Sequence, residues 1–376
     1  MHSFRNDYSE ECHPLVLEAL AKFASEQQPG YTEDAHCERA RMLLRETMLR
    51  SLERSGAQDG HRERVRDSVI EFVSGGTMAN LLTISSALRP YECVIAAPEG
   101  HINVHETGAI EATGHKVLTT SDMNGLLSVE GVDAVMAEHG YGQDHHMVMP
   151  RMLYLSFSTE MGMVHSAAQL AALRAYADTH DLLIYIDGAR LAAGLASPGT
   201  DATLADILKT ADAFTFGGTK NGALFGEAVV LLDPAAFGSF KAAQKQRGAL
   251  MAKGFLYGIQ FEALFDQYGC EAGIPGSEED EPLYFSLGRH ANAMAAALED
   301  ALKRNGFTHL VSQGQTNQVF VRVDADTARL LAERFGCEFF GVPCEGEQIV
   351  RFVCSWATEP EHIEELDRTL RSLHSR

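Results

Sequence analysis

From residue 69 onward, short apolar runs alternate with amphipathic stretches of helical length, and this alternation most constrains the fold. Strands are expected at 69–73, 93–96, 116–118, 152–157 and 182–186. Helices are expected between them at 77–88, 104–112, 129–138 and 167–179. Strands that alternate with helices pair in parallel through right-handed crossovers, giving a largely parallel sheet covered on both faces. Ligands of such sheets collect at the carboxyl ends of the strands, so the polar residues just past each run are where chemistry is expected.

Upstream, Pro14 opens a helical pattern that fades before Pro29-Gly30, and a second helix is expected over 33–54. Beyond Pro234 the pattern changes to a long helical stretch, 235–267, interrupted by glycines. A helix over 283–304 comes next, then a smaller α+β layer with strands at 318–323, 338–340 and 349–353 and helices at 325–335 and 361–373. The expected organisation is an N-terminal arm and helix (1–30), a large domain (31–245) and a small C-terminal domain (246–376), with the boundary near 245–280. No internal repeat or low-complexity tract interrupts the chain.

Charge and cysteine usage narrow the functional classes. With 52 acidic against 31 basic residues the net charge is −21, which disfavours a nucleic-acid partner. The acidic run Ser277-Glu278-Glu279-Asp280-Glu281 reads as a solvated loop. Seven cysteines, an odd number with no C-x-x-C pair, read as reduced thiols rather than a disulfide framework or zinc site. No apolar stretch is long enough to span a bilayer and the N-terminus has no signal-peptide core, so a cytoplasmic location is expected.

Five stretches carry candidate chemistry. Ser74-Gly75-Gly76-Thr77-Met78-Ala79-Asn80 succeeds a strand and opens a helix. Backbone N–H groups converge there, glycines admit an anion and Thr77 adds a hydroxyl, which makes either a phosphate cradle or a tight turn capped by Thr77. The lysine of a P-loop and the G-x-G-x-x-G spacing are both missing, so neither a nucleoside triphosphate nor a dinucleotide is implied. Gly100-His101-Ile102-Asn103-Val104-His105-Glu106 ends another strand, and His101 could lie flat on a planar ligand or simply face solvent. In Leu183-Ile184-Tyr185-Ile186-Asp187-Gly188-Ala189-Arg190, a carboxylate ends an apolar run and needs a cation, supplied by Arg190 or by a ligand's ring nitrogen.

The fourth stretch is Gly217-Gly218-Thr219-Lys220-Asn221-Gly222, a lysine in a glycine-lined turn between two apolar runs. Burial there would disfavour the ammonium form and so favour an amine nucleophile; the alternative is a charge at a hairpin tip. Fifth, Arg351 lies in a strand pattern of the small domain, suited to bidentate capture of a carboxylate or to an edge-strand ion pair. Taken in order, an anion cradle, a ring platform, a strand-end acid, an amine and a distant arginine are what pyridoxal 5′-phosphate and an amino-acid substrate require.

The chain resembles the L-threonine aldolase / β-eliminating lyase family of fold-type-I pyridoxal-phosphate enzymes. Arg5-Asn6-Asp7, Gly30-Tyr31-Thr32-Glu33-Asp34, Gly76-Thr77-Met78-Ala79-Asn80, His101 with Glu106, Asp187-Gly188-Ala189-Arg190-Leu191, Lys220 and Arg351 carry the likeness, which covers almost the whole chain. The resemblance implies a mostly parallel seven-stranded sheet flanked by helices, with a smaller α+β domain. It implies Lys220 as the Schiff-base lysine, Asp187 as partner of the pyridine nitrogen, and His101 as the stacking residue. Gly76, Thr77 and Thr219 would contact phosphate, and Arg190 would serve both cofactor and substrate. Asn6, Tyr31, Arg190 and Arg351 are then substrate-binding candidates, and His146 a candidate base near the substrate β-hydroxyl. A homodimer or homotetramer with sites at the subunit interface is also implied.

Departures from the family pattern include Gly75-Gly76-Thr77 for Ser-Gly-Thr, Asn6 for serine and Ser158-Thr159-Glu160-Met161-Gly162 for an asparagine-containing segment. The implied reaction is retro-aldol cleavage of a β-hydroxy-α-amino acid to glycine and an aldehyde. Alternatives on the same scaffold are α,β-elimination, transamination or a non-catalytic regulatory binder. Retention of Lys220 argues against the binder, which has no need of the amine.

Overall fold

In the computed structural model, residues 2–266, 269, 271–274, 277, 280–311 and 315–374 are described. Cys270 and Glu278-Glu279 of the acidic loop lie outside them. The large sheet contains β1 (Val69–Val73), β2 (Glu92–Ala96), β3 (Val117–Thr119), β4 (Met149–Ser156), β5 (Leu183–Asp187), β6 (Ala213–Gly217) and β7 (Glu227–Leu231). Their order across the sheet is β1-β7-β6-β5-β4-β2-β3. Neighbours from β6 to β3 pair in parallel, whereas β7 runs antiparallel to both β6 and β1. This is the expected mostly parallel seven-stranded α/β sheet.

The strand sequences are apolar on both sides because both faces are covered. On β4 and β5, Leu153, Leu155, Ile184 and Ile186 point into one core, while Met152, Tyr154, Leu183 and Tyr185 point into the opposite one. A separate antiparallel sheet, in the order β8-β10-β9, comprises β8 (Gln318–Asp324), β9 (Glu338–Cys344) and β10 (Glu347–Val353). It closes a third core with Ala295, Leu298 and Leu302 of the helix Leu283–Arg304. The N-terminal arm joins this layer, as Phe4 N donates to Phe335 O at 2.8 Å and Val353 N to Phe4 O at 2.9 Å.

Two expected helices are realised differently. Over 104–112 the chain forms a short helix, His101–Val104, and a 3-10 turn, Glu111–Thr113. Thr107 (φ 53°) and Gly108 (φ 69°) break the helix between them, next to a Glu106 side chain drawn inward to His101 and Asn80. The 235–267 stretch divides into Pro234–Phe237, Phe240–Gln246 and Phe255–Asp266, with left-handed glycines at 238 and 248 in the breaks. Short helices at Asp59–Arg66, Leu191–Leu195 and Leu204–Thr210 are additions to the expected elements. Five of the cysteines are buried and Cys344 is exposed, all as free thiols. Among the described residues no helix is long and apolar enough to cross a membrane.

The helix Phe255–Asp266 packs along Ala35–Arg54 so closely that a methyl group on Gly258 would overlap the Cys37 amide. Gly258→Ala is therefore expected to destabilise the protein by about 1–3 kcal/mol, read as a fall in Tm; an unchanged Tm would show that the helices can separate at no cost.

Candidate active site

A pocket of about 220 Å³ opens where β1, β2, β4, β5 and β6 end. Gly76, Thr77, His101, Asp187, Arg190, Thr219 and Lys220 line it, together with Tyr8, Asn80, Ser156, Ser158, Glu160, Ala189 and Glu227. A larger cavity of about 400 Å³, bounded by Arg50, Phe285 and Arg289, contains none of the candidate groups. Chemistry rather than size selects the smaller one.

Gly76 begins the helix Gly76–Ala87, whose N-cap is Gly75, so Thr77 is a first-turn residue and not the cap. No side chain caps this terminus, and a Cβ built on Gly75 or Gly76 would meet nothing within 4 Å. The first-turn N–H groups thus face open space, as an anion cradle requires.

Asp187 is 6% exposed and held by neutral donors. Tyr154 Oη donates to Oδ2 at 2.6 Å, Asn80 Nδ2 to Oδ2 at 2.9 Å, and Ala189 N to Oδ1 at 2.9 Å. Among the described residues Asp187 forms no ion pair, and Arg190 is committed elsewhere. Arg190 donates from Nε to Asp7 Oδ2 at 2.7 Å and from Nη2 to Asp7 Oδ1 at 3.1 Å. Its Nη1 edge lies 3.9 Å from Glu160. Burial alone would raise the Asp7 pKa, but Arg190, Lys220 and the Asn317 amide outweigh it and hold the carboxyl down at about 2.

Lys220 is half-buried just past the end of β6. The two glycines before it are dictated by close backbone approach. A Cβ on Gly217 would strike the Gly188-Ala189 backbone, and one on Gly218 would strike the Gly226 carbonyl. Gly217 N donates to Gly188 O at 3.1 Å, so the turn bearing the amine packs on the turn after Asp187. His101 has Nδ1 2.7 Å from Glu106 Oε1. Burial works against the imidazolium, yet the Glu106 hydrogen bond and the charges of Glu160 and Asp187 prevail, so the His101 pKa rises above the usual imidazole value.

Four candidates lie outside the pocket of this chain. Asn6 accepts from Tyr8 N at 3.0 Å and from the Ser9 hydroxyl at 2.9 Å. Tyr31 is exposed, with Lys245 Nζ 4.4 Å above its ring. His146 is exposed, its amide donating to Asp144 at 2.9 Å. Arg351 sits on β10, the central strand of the small sheet rather than an edge, and donates to Glu338 at 2.8 Å.

Sequence reasoning did not single out Asn80, Tyr154, Ser158, Glu160 or Glu227 as site residues. Asn80 lay inside a motif quoted for its glycines, and Glu227 opens an apolar run where a carboxylate is out of place. The assembled groups fit pyridoxal phosphate: an open helix start for the phosphate, a buried acid without a cation, and an amine. In addition, the Ser158 hydroxyl is buried without a hydrogen-bond partner.

Residues 57–326 match the family model described as beta-eliminating lyase. A solved threonine aldolase from Leishmania major is 39% identical, superposes with a TM-score of 0.86 and is aligned over 99% of both chains. Low specificity L-threonine aldolases of a Pseudomonas species and of Pseudomonas aeruginosa are 28% and 29% identical. The first alignment spans 82% of this chain and 84% of that protein, the second 81% and 83%.

The Asp7–Arg190 pair anchors the arm to the pocket wall, and removing one buried partner strands the other. Asp7→Asn is expected to cost about 3–5 kcal/mol at neutral pH. Because the folded-state pKa is depressed, the Asp7 contribution is present above the unfolded value and is lost as pH falls through about 2. Denaturation at stepped pH should show wild type losing about 2 kcal/mol from this group between about pH 4 and pH 2, and Asp7→Asn losing correspondingly less.

Proposed function

The chain belongs to the beta-eliminating lyase family, and from that premise we propose that it cleaves β-hydroxy-α-amino acids between Cα and Cβ, giving glycine and an aldehyde. It is a pyridoxal-phosphate-dependent lyase; substrates of the L-threonine, allo-threonine or phenylserine type suit the reading. The observation that carries it is the convergence on one pocket of the Lys220 amine, an Asp187 carboxylate without a cation and a His101 braced by Glu106.

When bound, pyridoxal phosphate supplies an electron sink for the pair of electrons left at Cα. The residues divide the remaining work. Gly76 and Thr77 at the helix start, with Thr219, would hold the phosphate, and Asp187 would pair with the ring nitrogen and favour its protonated form. Lys220 would provide the amine that anchors the cofactor. The Nη1 edge of Arg190, left over from the Asp7 contacts, would meet the substrate carboxylate and so orient the bonds at Cα. Arg351 is a second candidate for that carboxylate.

His101 would pack against the ring; Glu106 occupies its Nδ1, which leaves Nε2 as the atom able to exchange a proton with the pocket. His146 remains a candidate base for the β-hydroxyl.

Purified protein should absorb in the visible region, and Lys220→Ala should lose both that band and product release. L-Threonine or L-phenylserine should give glycine and an aldehyde without an added α-keto acid; ammonia plus a keto acid would replace this reading with elimination. A second expectation concerns pH. Glu106 contributes to the raised pKa of His101, so the Glu106→Gln acid limb of kcat/KM should move to lower pH; an unmoved limb would remove His101 from the proton-transfer step.

A further inference from the structure

Glu227 is a carboxylate that the reaction as described does not use. It is the first residue of β7, and the register places it opposite Val73 of β1 on one side and opposite Gly217 of β6 on the other. Val73 precedes Ser74-Gly75-Gly76, and Gly217 precedes Gly218-Thr219-Lys220. The side chain is thus wedged between the strand that leads to the anion cradle and the strand that leads to the amine. It is 3% exposed, lines the same pocket as Lys220 and Asp187, and forms no ion pair among the described residues.

Its hydrogen bonds run into the lysine turn. Gly218 N donates to Glu227 Oε2 at 2.8 Å. The Thr219 hydroxyl accepts from Gly226 N, the residue just before Glu227, at 3.1 Å. Both residues immediately before Lys220 are therefore fastened to the start of β7, Gly218 to the Glu227 carboxylate itself and Thr219 to the amide beside it. Uncompensated burial of a carboxylate costs several kcal/mol, so a glutamate here calls for a role.

We propose that Glu227 is a positioning residue for Lys220: it fastens the Gly218-Thr219 turn and, through its own charge, biases the protonation of the nitrogen that Lys220 presents to the cofactor. The inference rests on Lys220 as the cofactor-bearing amine. Burial pushes the Glu227 pKa up to about 7, against the opposing pull of the Thr219 and Gly218 hydrogen bonds and of Lys220. The other ionisable groups facing it are Asp187 and the buried phenols of Tyr185 and Tyr284. Those phenols stay neutral, because burial first and neighbouring acids second push them well above the usual tyrosine value. Glu227 is accordingly neutral at mildly acidic pH and ionised at mildly alkaline pH, where its charge favours the protonated nitrogen.

The test uses holoenzyme of wild type and Glu227→Gln, which keeps the shape and the acceptor oxygen but cannot ionise. Visible absorbance titrated between about pH 5 and about pH 9 should show the apparent pKa of the cofactor band lowered in the variant, by roughly tenfold in proton affinity. Melting temperature is read alongside, since a purely structural role would lower it and leave the spectral titration unmoved, overturning the proposal. Infrared difference spectra of cofactor-free wild type supply a second reading that survives a misfolded variant. A carboxylic-acid band that disappears with a midpoint near neutrality supports the proposal, and a band that never titrates in that range overturns it. A colourless wild-type holoenzyme would overturn the Lys220 assignment instead, and the infrared result still decides whether Glu227 changes charge.

Discussion

One side-chain amide ties the site together. Asn80, four residues into the helix that opens the anion cradle, donates from Nδ2 to Glu106 Oε1 at 2.6 Å and to Asp187 Oδ2 at 2.9 Å. Its Oδ1 accepts from Tyr185 Oη at 2.8 Å. All of these partners are buried, so each hydrogen bond is made in a low-dielectric interior where a missing partner would cost more than a made one gains. Through Glu106 the network reaches His101, and through Asp187 it reaches Tyr154 on β4. The helix start at Gly76-Thr77, His101 and Asp187 therefore share one rigid frame, and none can shift without unpairing another.

The frame also distributes an unusual load of negative charge. Asp7, Glu106, Glu160, Asp187 and Glu227 are all buried around the pocket. Asp7 is neutralised by the two-pronged contact with Arg190, and Glu106 is coupled to His101. Glu227 accepts from the Gly218 amide of the lysine turn. Asp187, like Glu227, is deeply buried among exclusively neutral donors, which orient the carboxylate without cancelling it. A carboxylate arranged in this way suits a cation brought by a ligand, and the protonated ring nitrogen of pyridoxal phosphate would be such a cation.

Much of this was legible in the sequence because it depends on local patterns. The strand-helix alternation from residue 69 yields the sheet, and polar residues directly after apolar runs mark Gly76-Thr77, His101, Asp187 and Lys220, which meet in one pocket. What could not be read was partner choice. Arg190, three residues from Asp187, looked available to it, yet its guanidinium is claimed by Asp7 from 183 residues away in the chain. Arg351 likewise looked free to meet a ligand, but β10 is flanked on both sides and Glu338 of β9 reaches it. Such long-range pairings leave no periodic trace. The helix expected over 104–112 failed for a related reason, since Glu106 is buried against Asn80 and His101 and the chain turns through positive φ at Thr107 and Gly108.

The direction of one strand explains the most consequential omission. In a parallel sheet every strand delivers its last residue to the ligand edge, so a search for chemistry after each apolar run is sound for β1, β2, β4, β5 and β6. β7 runs the other way and therefore delivers its first residue to that edge. A glutamate ahead of Ala228-Val229-Val230-Leu231 resembles an ordinary loop charge until the reversal of β7 is known. The reversal also puts that residue between two strands parallel to each other, level with the turns at the carboxyl ends of both. No position on a parallel strand can touch the cradle strand and the lysine strand in the same way, so the antiparallel insertion is what allows one carboxylate to hold the turn from which the amine projects.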